Sequence, residues 1–275
     1  MHSLNCKGRI LSWEDPIVMG VLNLTPDSFY AGSRIRSENM LIGQAEKMLT
    51  EGAVILDLGG LSSRPGALEI SADAELERVV PAISLLSAKF PTAFISVDSY
   101  RYKVAEAALN AGASIINDIG AGEDEGLARL AATFHLPYIC MHMRGNPGNM
   151  QQFTSYDDII LELLDYFNKR KSECIAMGLK DLIIDPGFGF AKTIDQNFLL
   201  LNRMKLLKIL GLPIMVGLSR KATIYKTLNI KPEESLNGTT VLHTLALEQG
   251  ADILRVHDVK EAVETIRLWT SYLKT

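Results

Sequence analysis

The sequence predicts an α/β protein, a single (β/α)8 TIM barrel with parallel strands and long loops after strands 1 and 2. Eight short apolar runs rich in β-forming residues recur along the chain, and stretches with helical spacing of apolar residues separate them. The runs are continuously apolar, which is typical of parallel strands covered on both faces. Because the composition shows no break, we expect residues 1–275 to form one domain, with a doubly wound open sheet as the alternative.

The predicted elements follow one another in regular order. The first two strands, 17–23 and 54–59, each lead into a long polar loop. The other six predicted strands are 93–98, 114–119, 138–142, 182–187, 213–219 and 252–257. Helical spacing predicts helices over 40–53, 74–90, 101–113, 127–135 and 261–273. Strands that alternate with helices in this way require crossover connections and parallel pairing.

Composition limits the classes of function. Hydrophobic residues make up 47% of the chain and charged residues 22%, and the net charge is −4. A net acidic chain has no overall field to attract nucleic acid or an anionic membrane. The opening "MHSLNCKGRILSWEDP" lacks the apolar core of a signal peptide, and no apolar run is long enough to span a bilayer. We therefore expect a cytoplasmic protein that acts on small molecules, with His2 in a mobile terminus.

Polar side chains stand at the carboxyl end of every predicted strand. They are Asn23, Asp57, Asp98, Asn117 with Asp118, His142, Asp185, Ser219 to Lys221, and Arg255 with His257. The carboxyl ends of barrel strands converge on one mouth, where the catalytic groups of such enzymes lie. A single aspartate at a strand end is more often a helix cap or turn former, and Asp118 and Asp258 suit that role best. Eight such strand ends together indicate a site.

The residue types in the predicted mouth indicate two tasks. Arg64, in the loop "GGLSSRPGA", and Lys221, Arg255 and His257, after strands 7 and 8, could hold an anion. The carboxylates Asp57, Asp98 and Asp185 could accept N–H donors from a heterocycle. This combination indicates a phosphorylated heterocycle as ligand. The segment "DPGFGFAKT" is not a phosphate loop, because it lacks the required spacing of glycines and lysine.

The sequence also limits which metal sites and cysteine sites the protein can contain. Three cysteines lie far apart and no HExxH motif is present, so neither a disulfide framework nor a zinc site is predicted. Mg²⁺ needs only one or two protein oxygens besides substrate phosphates, and Asn23 or Asp27 could supply them. Among the histidines, His135 and His243 favour structural roles, whereas His142 could be structural or functional.

Eight ordered segments resemble the signature segments of the dihydropteroate synthase family over nearly the whole chain. They are "MGVLNLTPDSF", "LDLGGLSSRPGA", "ISVDS", "INDI", "MHMRGNPGNMQ", "IDPGFGFAKT", "VGLSRKA" and "RVHDV". The resemblance implies a TIM-barrel enzyme of folate synthesis. Such an enzyme condenses 6-hydroxymethyl-7,8-dihydropterin pyrophosphate with 4-aminobenzoate to give 7,8-dihydropteroate and pyrophosphate, and the family suggests a homodimer.

The resemblance also implies roles for individual residues. Asp98, Asn117, Asp185 and Lys221 would bind the pterin, and Arg255 would stack on its ring. Asn23, Arg64, Arg255 and His257 would hold the pyrophosphate with Mg²⁺. The aminobenzoate site would contain Ser219, Thr25 and the loop from Ser63 to Pro65. Asp57 and Phe190 are further candidates for substrate binding. The candidate catalytic residues are Asp98, Asp185, Lys221, Arg255 and His257.

Two other functions fit parts of the sequence. A pterin-binding methyltransferase barrel would share the ring contacts of Asp98, Asn117 and Asp185, but it needs neither the Arg64 loop nor the "SRK" and "RVH" cations, and no corrinoid module is present. A catalytically silent pterin-binding protein is the third hypothesis, which the intact loops disfavour. The chain departs from the family pattern at Leu61, Ser63 and Ser99. These departures affect what is expected of loop packing and of the response to sulfonamides, not of the reaction.

Overall fold

Eight parallel strands form the centre of the fold. The computed structural model describes residues 1–24, 34–61 and 70–274, without the side chains of 34–37. The parallel strands are β3 (Ile17–Asn23), β4 (Ile55–Gly59), β5 (Phe94–Asp98), β6 (Ile115–Asp118), β7 (Tyr138–Met141), β8 (Leu182–Asp185), β9 (Met215–Val216) and β10 (Ile253–Val256). They pair in the order β8-β7-β6-β5-β4-β3-β10-β9.

The eight strands close into a barrel between β8 and β9. The amide of Ile184 donates to the carbonyl of Pro213 at 3.0 Å, and Ile184 forms a parallel bridge with Ile214. This closure confirms the predicted (β/α)8 barrel, and the open-sheet alternative is wrong. Most of the two long loops predicted after strands 1 and 2 lies outside the described residues.

Helices cover the outside of the barrel. Those in the described residues are α1 (Arg34–Glu51), α2 (Ala72–Lys89), α3 (Tyr102–Ala111), α4 (Glu125–Phe134), α5 (Ile159–Ala176), α6 (Ile194–Arg203), α7 (Ala222–Leu228), α8 (Leu236–Glu248) and α9 (Val259–Leu273). All five predicted helices are present within a few residues of their expected bounds, except that α1 begins earlier. His135 ends α4 in a left-handed conformation, and His243 is buried in α8, so both structural predictions are confirmed.

Successive side chains of each barrel strand belong to two different packed layers. One set, which includes Leu56, Val97 and Leu254, points outward and packs under the helices. The other set points into the barrel, because side chains alternate between the faces of a strand. At the lower, amino-terminal ends of the strands this inner set is apolar. It comprises Ile17, Met19, Ile55, Ile115, Ile139, Ile183, Met215 and Ile253. Two residues further along each strand, the inner position is available for polar groups.

An antiparallel hairpin, β1 (His2–Cys6) and β2 (Arg9–Trp13), closes the lower end of the barrel. Its residues Leu4, Cys6, Leu11 and Trp13 join the apolar cluster of the barrel interior. The prediction that His2 lies in a mobile terminus is wrong. The His2 ring stacks on Trp13 with centroids 5.4 Å apart, and its Nε2 lies 3.1 Å from Asp252 Oδ1. The alternating pattern was overlooked because the segment was considered only as a targeting signal.

We expect Trp13→Ala to lower the free energy of unfolding by about 3–5 kcal/mol, because it removes a large side chain from the cluster that closes the barrel. Urea unfolding followed by circular dichroism would measure the change. Ile10→Ala is the matched control, since Ile10 is on the same hairpin and is 63% exposed. It should change stability by less than about 0.5 kcal/mol. Equal losses in both variants would contradict the proposed packing role.

Candidate functional site

The upper layer of the barrel interior is polar. Strand alternation places Asp57, Asp98, Asn117, Asp185 and Arg255 in the inner set, above the apolar layer. The strand registers pair Asp98 with both Gly59 and Asn117, and Met141 with Asp185, so the polar residues lie at similar heights. All four acceptor side chains are buried. The structure therefore brings these five sequence-predicted residues into one site at the carboxyl ends of the strands.

Arg255 is held between two carboxylates at the centre of this layer. Its Nε donates to Asp57 Oδ2 at 2.7 Å, and its Nη2 donates to Asp98 Oδ2 at 2.5 Å. Asp57 Oδ2 also accepts from Asn117 Nδ2 at 3.0 Å. Since these hydrogen bonds lie near the plane of the guanidinium group, they fix its orientation and leave its flat faces for stacking.

Several buried acceptor atoms face this arrangement without a partner. Among the described residues, Oδ1 of Asp98 and Oδ1 of Asn117 have no hydrogen-bond donor. An unpaired buried acceptor costs about 1–3 kcal/mol, so these atoms are poised to accept N–H groups of a ligand. Gly59 allows the Asp98 side chain to lie close to the neighbouring strand, because a Cβ there would lie 3.2 Å from Asp98 Oδ2.

The layer concentrates buried charges of both signs. The carboxylates of Asp57, Asp98 and Asp185 face Arg255 and Lys221, and the charge of Lys192 also acts on Asp185. Burial and the neighbouring carboxylate of Asp57 raise the pKa of Asp98 to about 7, although Arg255 opposes the shift. Burial also raises the pKa of Asp185. Burial would lower the pKa of Arg255, but Asp57 and Asp98 raise it above its ordinary value, so Arg255 stays charged.

The loop after β8 connects Asp185 to Lys221. Asp185 Oδ1 accepts from the amide of Gly187 at 2.8 Å, which turns the backbone sharply above the strand. Lys221 Nζ donates to the carbonyl of Phe188 and lies 4.5 Å from the ring centroid of Phe190. Burial, and then the charge of Arg255, lower the pKa of Lys221 to about 8, with Asp185 opposing. The predicted residues Phe190 and Lys221 are therefore in direct contact.

His257 lies at the exposed rim and is oriented by Ser219. The Ser219 hydroxyl accepts from the amide of His257 at 3.2 Å and lies 3.0 Å from His257 Nδ1. A hydroxyl already used as an acceptor can donate its hydrogen to Nδ1, and in that arrangement the ring hydrogen is on Nε2. The walls of the mouth and the charge of Arg255 lower the pKa of His257, so the imidazole is neutral.

One cation and two carboxylates near the mouth have structural roles. Arg220 donates to both carboxylate oxygens of Asp258 at 2.8 Å, so it faces α9 and not the barrel interior. Asp118 accepts from the amides of Gly120 and Gly122, which agrees with the predicted turn-forming role. Asp258 stands at the start of α9 but makes no side-chain cap, because Arg220 binds it.

Asn23 ends β3 on the inward-facing side of the strand and is half-buried. Its amide oxygen is a hard donor of the kind Mg²⁺ takes, and one such ligand is enough when a diphosphate supplies the others. In residues 1–24, 34–61 and 70–274, no group of three or more His, Cys, Asp or Glu side chains is placed to hold a metal. The donor set thus fits a shared, substrate-dependent metal position. Four other predicted residues, Thr25, Ser63, Arg64 and Pro65, lie outside the described residues, as does Asp27.

Sequence reasoning missed Lys192, which is buried beneath the mouth. Its Nζ lies 3.0 Å from His142 Nδ1 and donates to the carbonyls of Gly187 at 3.1 Å and Phe190 at 3.0 Å. Burial lowers the pKa of His142 well below its usual range, so its Nδ1 is free to accept. The lysine in "DPGFGFAKT" was considered only as a phosphate ligand, and the structure agrees that it is not one. A lysine inside a glycine-rich turn next to a strand end was the available signal.

Comparisons with known proteins show the family of the chain. A family model described as pterin binding enzyme matches residues 19–257. The dihydropteroate synthase of Escherichia coli K12 is 42% identical over 96% of this chain and 94% of its own length. The Yersinia pestis dihydropteroate synthase, solved in a sulfonamide drug complex, superposes with a TM-score of 0.92 at 38% identity, covering 100% of both chains. The Xanthomonas albilineans dihydropteroate synthase, solved with 4-aminobenzoic acid, gives a TM-score of 0.92 at 36% identity, covering 99% and 98%.

We expect Asp98→Asn to change how stability depends on pH. Because folding raises the pKa of Asp98 to about 7, the stability linked to its neutral form is present at low pH and is lost as pH rises through 7. The variant should therefore gain a few kcal/mol relative to the unsubstituted protein between pH 4 and pH 8. Urea unfolding across this range would measure the difference. Asp165→Asn, on the exposed face of α5, is the control and should show no such trend; a parallel curve for Asp98→Asn would contradict the assignment.

Proposed function

The chain belongs to the pterin-binding enzymes, within the dihydropteroate synthases, and from this membership we propose how its mouth performs their reaction. The enzyme is a transferase of alkyl or aryl groups. It joins 6-hydroxymethyl-7,8-dihydropterin pyrophosphate to 4-aminobenzoate, releases pyrophosphate and forms 7,8-dihydropteroate for folate synthesis. The observation that carries the proposal is the pair of buried, unpartnered acceptors on Asp98 and Asn117 beside the fixed plane of Arg255.

Pterin recognition would use the upper layer of the barrel. A pterin presents several N–H donors along one edge and one flat face on each side. The carboxylate and amide oxygens of Asp98, Asn117 and Asp185 suit those donors, and Lys221 suits the ring carbonyl or a ring nitrogen. Arg255 can stack on the ring, since Asp57 and Asp98 hold only the edges of its guanidinium group.

The chemical step breaks the bond between the exocyclic methylene carbon and the pyrophosphate oxygen, and forms a bond from that carbon to the nitrogen of 4-aminobenzoate. The nitrogen then loses one proton to solvent. Positive charge develops on the pterin methylene as pyrophosphate departs. The carboxylates of Asp98 and Asp185, set in a buried site, would stabilise it electrostatically. An aryl amine is already a nucleophile, so positioning replaces a strong base.

The leaving diphosphate would lie at the rim. His257 offers its Nε2–H there, and Arg255 contributes positive charge from below. We assign Arg64 to the same anion. Asn23 would hold Mg²⁺ together with diphosphate oxygens, and the ion when bound supplies charge that neutralises the departing anion. In this arrangement the role of Ser219 would be to fix the tautomer of His257.

The 4-aminobenzoate would enter from the loop side of the mouth. We assign its site to Thr25 and the segment from Ser63 to Pro65, with Ser219 and the ring of Phe190 on the opposite wall. The Xanthomonas albilineans enzyme was solved with this substrate, and the Yersinia pestis enzyme with a sulfonamide drug. We propose that a sulfonamide binds this chain at the same place.

Assembly and location complete the proposal. We propose that the 275 residues act as one domain in the cytoplasm, where the free, buried thiols of Cys6, Cys140 and Cys174 would stay reduced. No helix in the described part of the chain is long and apolar enough to cross a membrane. We also propose a homodimer through outer helices. Apolar side chains are exposed on α6, on the 3-10 segment Met204–Leu210 that it contacts, and on α8. They are Leu199, Leu206, Ile209, Val241 and Leu245.

The direct test is pyrophosphate release from the purified chain with the pterin pyrophosphate, 4-aminobenzoate and Mg²⁺. Release that requires the amine, with 7,8-dihydropteroate detected by mass spectrometry, is the expected result. Binding of the pterin without turnover would instead favour a silent pterin-binding protein. Absence of both binding and turnover would rule out the proposed function.

We expect Asp185→Asn to lower kcat/KM for the pterin pyrophosphate roughly 10- to 100-fold, because it exchanges a charged acceptor for an amide that can donate. The KM for 4-aminobenzoate should change little, since Asp185 is buried at the end of β8 and is not among the residues assigned to that substrate. Steady-state kinetics with each substrate varied in turn would separate the two effects. Asp195→Asn, an exposed carboxylate on α6, is the control. Near-normal pterin kinetics in Asp185→Asn would refute its role in recognition.

We expect Val241→Lys with Leu245→Lys to convert a dimer into a monomer, because two charges on the exposed face of α8 would have to be buried in the interface. Light scattering coupled to size-exclusion chromatography would report the mass. Ile10→Lys is the matched control, since Ile10 is 63% exposed on β2 of the hairpin at the lower end of the barrel. A monomeric unsubstituted protein at micromolar concentration, or dissociation by the control alone, would contradict the proposed interface.

A further inference from the structure

We propose that Lys192 is a positioning residue that fixes Lys221 for pterin binding by holding the loop Gly187–Phe190 against the end of β7. The inference deepens the proposed function and rests on it, because the affected ligand is the pterin. Lys192 is 3% exposed, and its hydrogen bonds go to the loop and to His142. Its charge acts on Asp185, but its effect on Lys221 must pass through the loop.

Hydrogen-bond partners surround Lys192 Nζ. Two are carbonyls of the loop, on Gly187 and Phe190, and another is Nδ1 of His142. His142 is itself fixed, because its amide donates to the carbonyl of Asp185 at 2.9 Å and its ring packs edge-on against Tyr166 at 4.9 Å. Lys192 thus ties the loop to a rigid strand end and not to another loop.

The backbone of the loop requires this close attachment. Gly187 has a φ of +70°, and a Cβ there would lie 2.0 Å from the carbonyl oxygen of His142. On the other side of the loop, the amide of Gly189 donates to Asn197 Oδ1 at 2.7 Å, and Asn197 also caps the carbonyl of Thr193. The loop is therefore anchored both to β7 and to α6.

The face of this anchored loop is the surface that holds Lys221. The carbonyl of Phe188 accepts from Lys221 Nζ, the ring of Phe190 lies under the same ammonium group, and the methylene chain of Lys221 occupies the space beside Gly189. If Lys192 loses its donors, the carbonyl of Phe190 and Nδ1 of His142 lose this partner, and the carbonyl of Gly187 keeps only the amide of Phe190 as donor. The loop can satisfy them only by moving toward water, and Lys221 then loses its support.

The experiment measures the affinity for 6-hydroxymethyl-7,8-dihydropterin pyrophosphate by calorimetry in four forms: the unsubstituted enzyme, Lys192→Met, Lys221→Met and the double variant. We expect Lys192→Met to weaken binding at least about tenfold. In the Lys221→Met background the same substitution should have less than about a twofold further effect, because the residue through which it acts is gone. An equal loss in both backgrounds would overturn the proposal, and so would unchanged affinity in Lys192→Met.

Lys171→Met is the matched control for a merely structural lysine. Lys171 Nζ donates to the carbonyl of Leu210 at 2.6 Å, far from the mouth. It should lower thermal stability without changing pterin affinity. If Lys192→Met does not fold, two substitutions of His142 test the proposal instead. His142→Asn keeps an acceptor near the position of Nδ1 and should retain pterin affinity. His142→Leu removes that acceptor and should weaken pterin affinity about tenfold. Equal affinity in this pair would overturn the proposal.

Failure of this inference can be told apart from failure of the proposed function. An unsubstituted enzyme that releases no pyrophosphate and binds no pterin would defeat the proposed function itself. An active enzyme in which Lys192→Met and Lys171→Met behave alike would defeat only the role of Lys192.

Discussion

The ion pairs that Arg255 makes with Asp57 and Asp98 are the interaction on which the site depends. A cation inside a barrel is tolerated only when carboxylates compensate for its lost hydration, and here two of them do so through hydrogen bonds in the guanidinium plane. Because this pairing uses the edges of the group, its faces stay available. The same contacts that make Arg255 acceptable in the interior therefore prepare it to meet a flat ring.

The carboxylates of this layer are compensated by more than one cation. Asp185 adds a third carboxylate, and the charges of both Lys221 and Lys192 act on it, while Lys221 also donates to the carbonyl of Phe188. Burial raises the pKa of Asp98, and the neighbouring carboxylates raise it further. These carboxylates would stabilise a ligand that becomes positive during reaction. The rim differs, since His257 is neutral and offers a donor. Negative charge below and donors above match a cationic methylene and a departing diphosphate.

Alternation along the strands explains why much of this arrangement was predictable from sequence. The runs ending in Asp57, Asp98, Asn117, Asp185 and Arg255 could be assigned to parallel strands, and parallel strands in a closed barrel bring their carboxyl ends together. Two features did not follow in the same way. The hairpin formed by β1 and β2 is too short for its sequence to show what it packs against. Only the tertiary structure shows that its apolar face covers the open lower end of the barrel. Lys192 was unassigned because a lysine in a polar loop is ordinarily exposed.

The sequence by itself determined the order of strands and helices, the closed barrel and the set of polar residues around its mouth, because period and spacing are local properties of the chain. Tertiary structure alone decided which of those residues pair: that Arg255 lies between Asp57 and Asp98, that Arg220 turns away to Asp258, and that Lys192 reaches His142 from fifty positions along the chain. Such pairings depend on distances across the barrel, and no local pattern encodes a distance between strands that are remote in sequence.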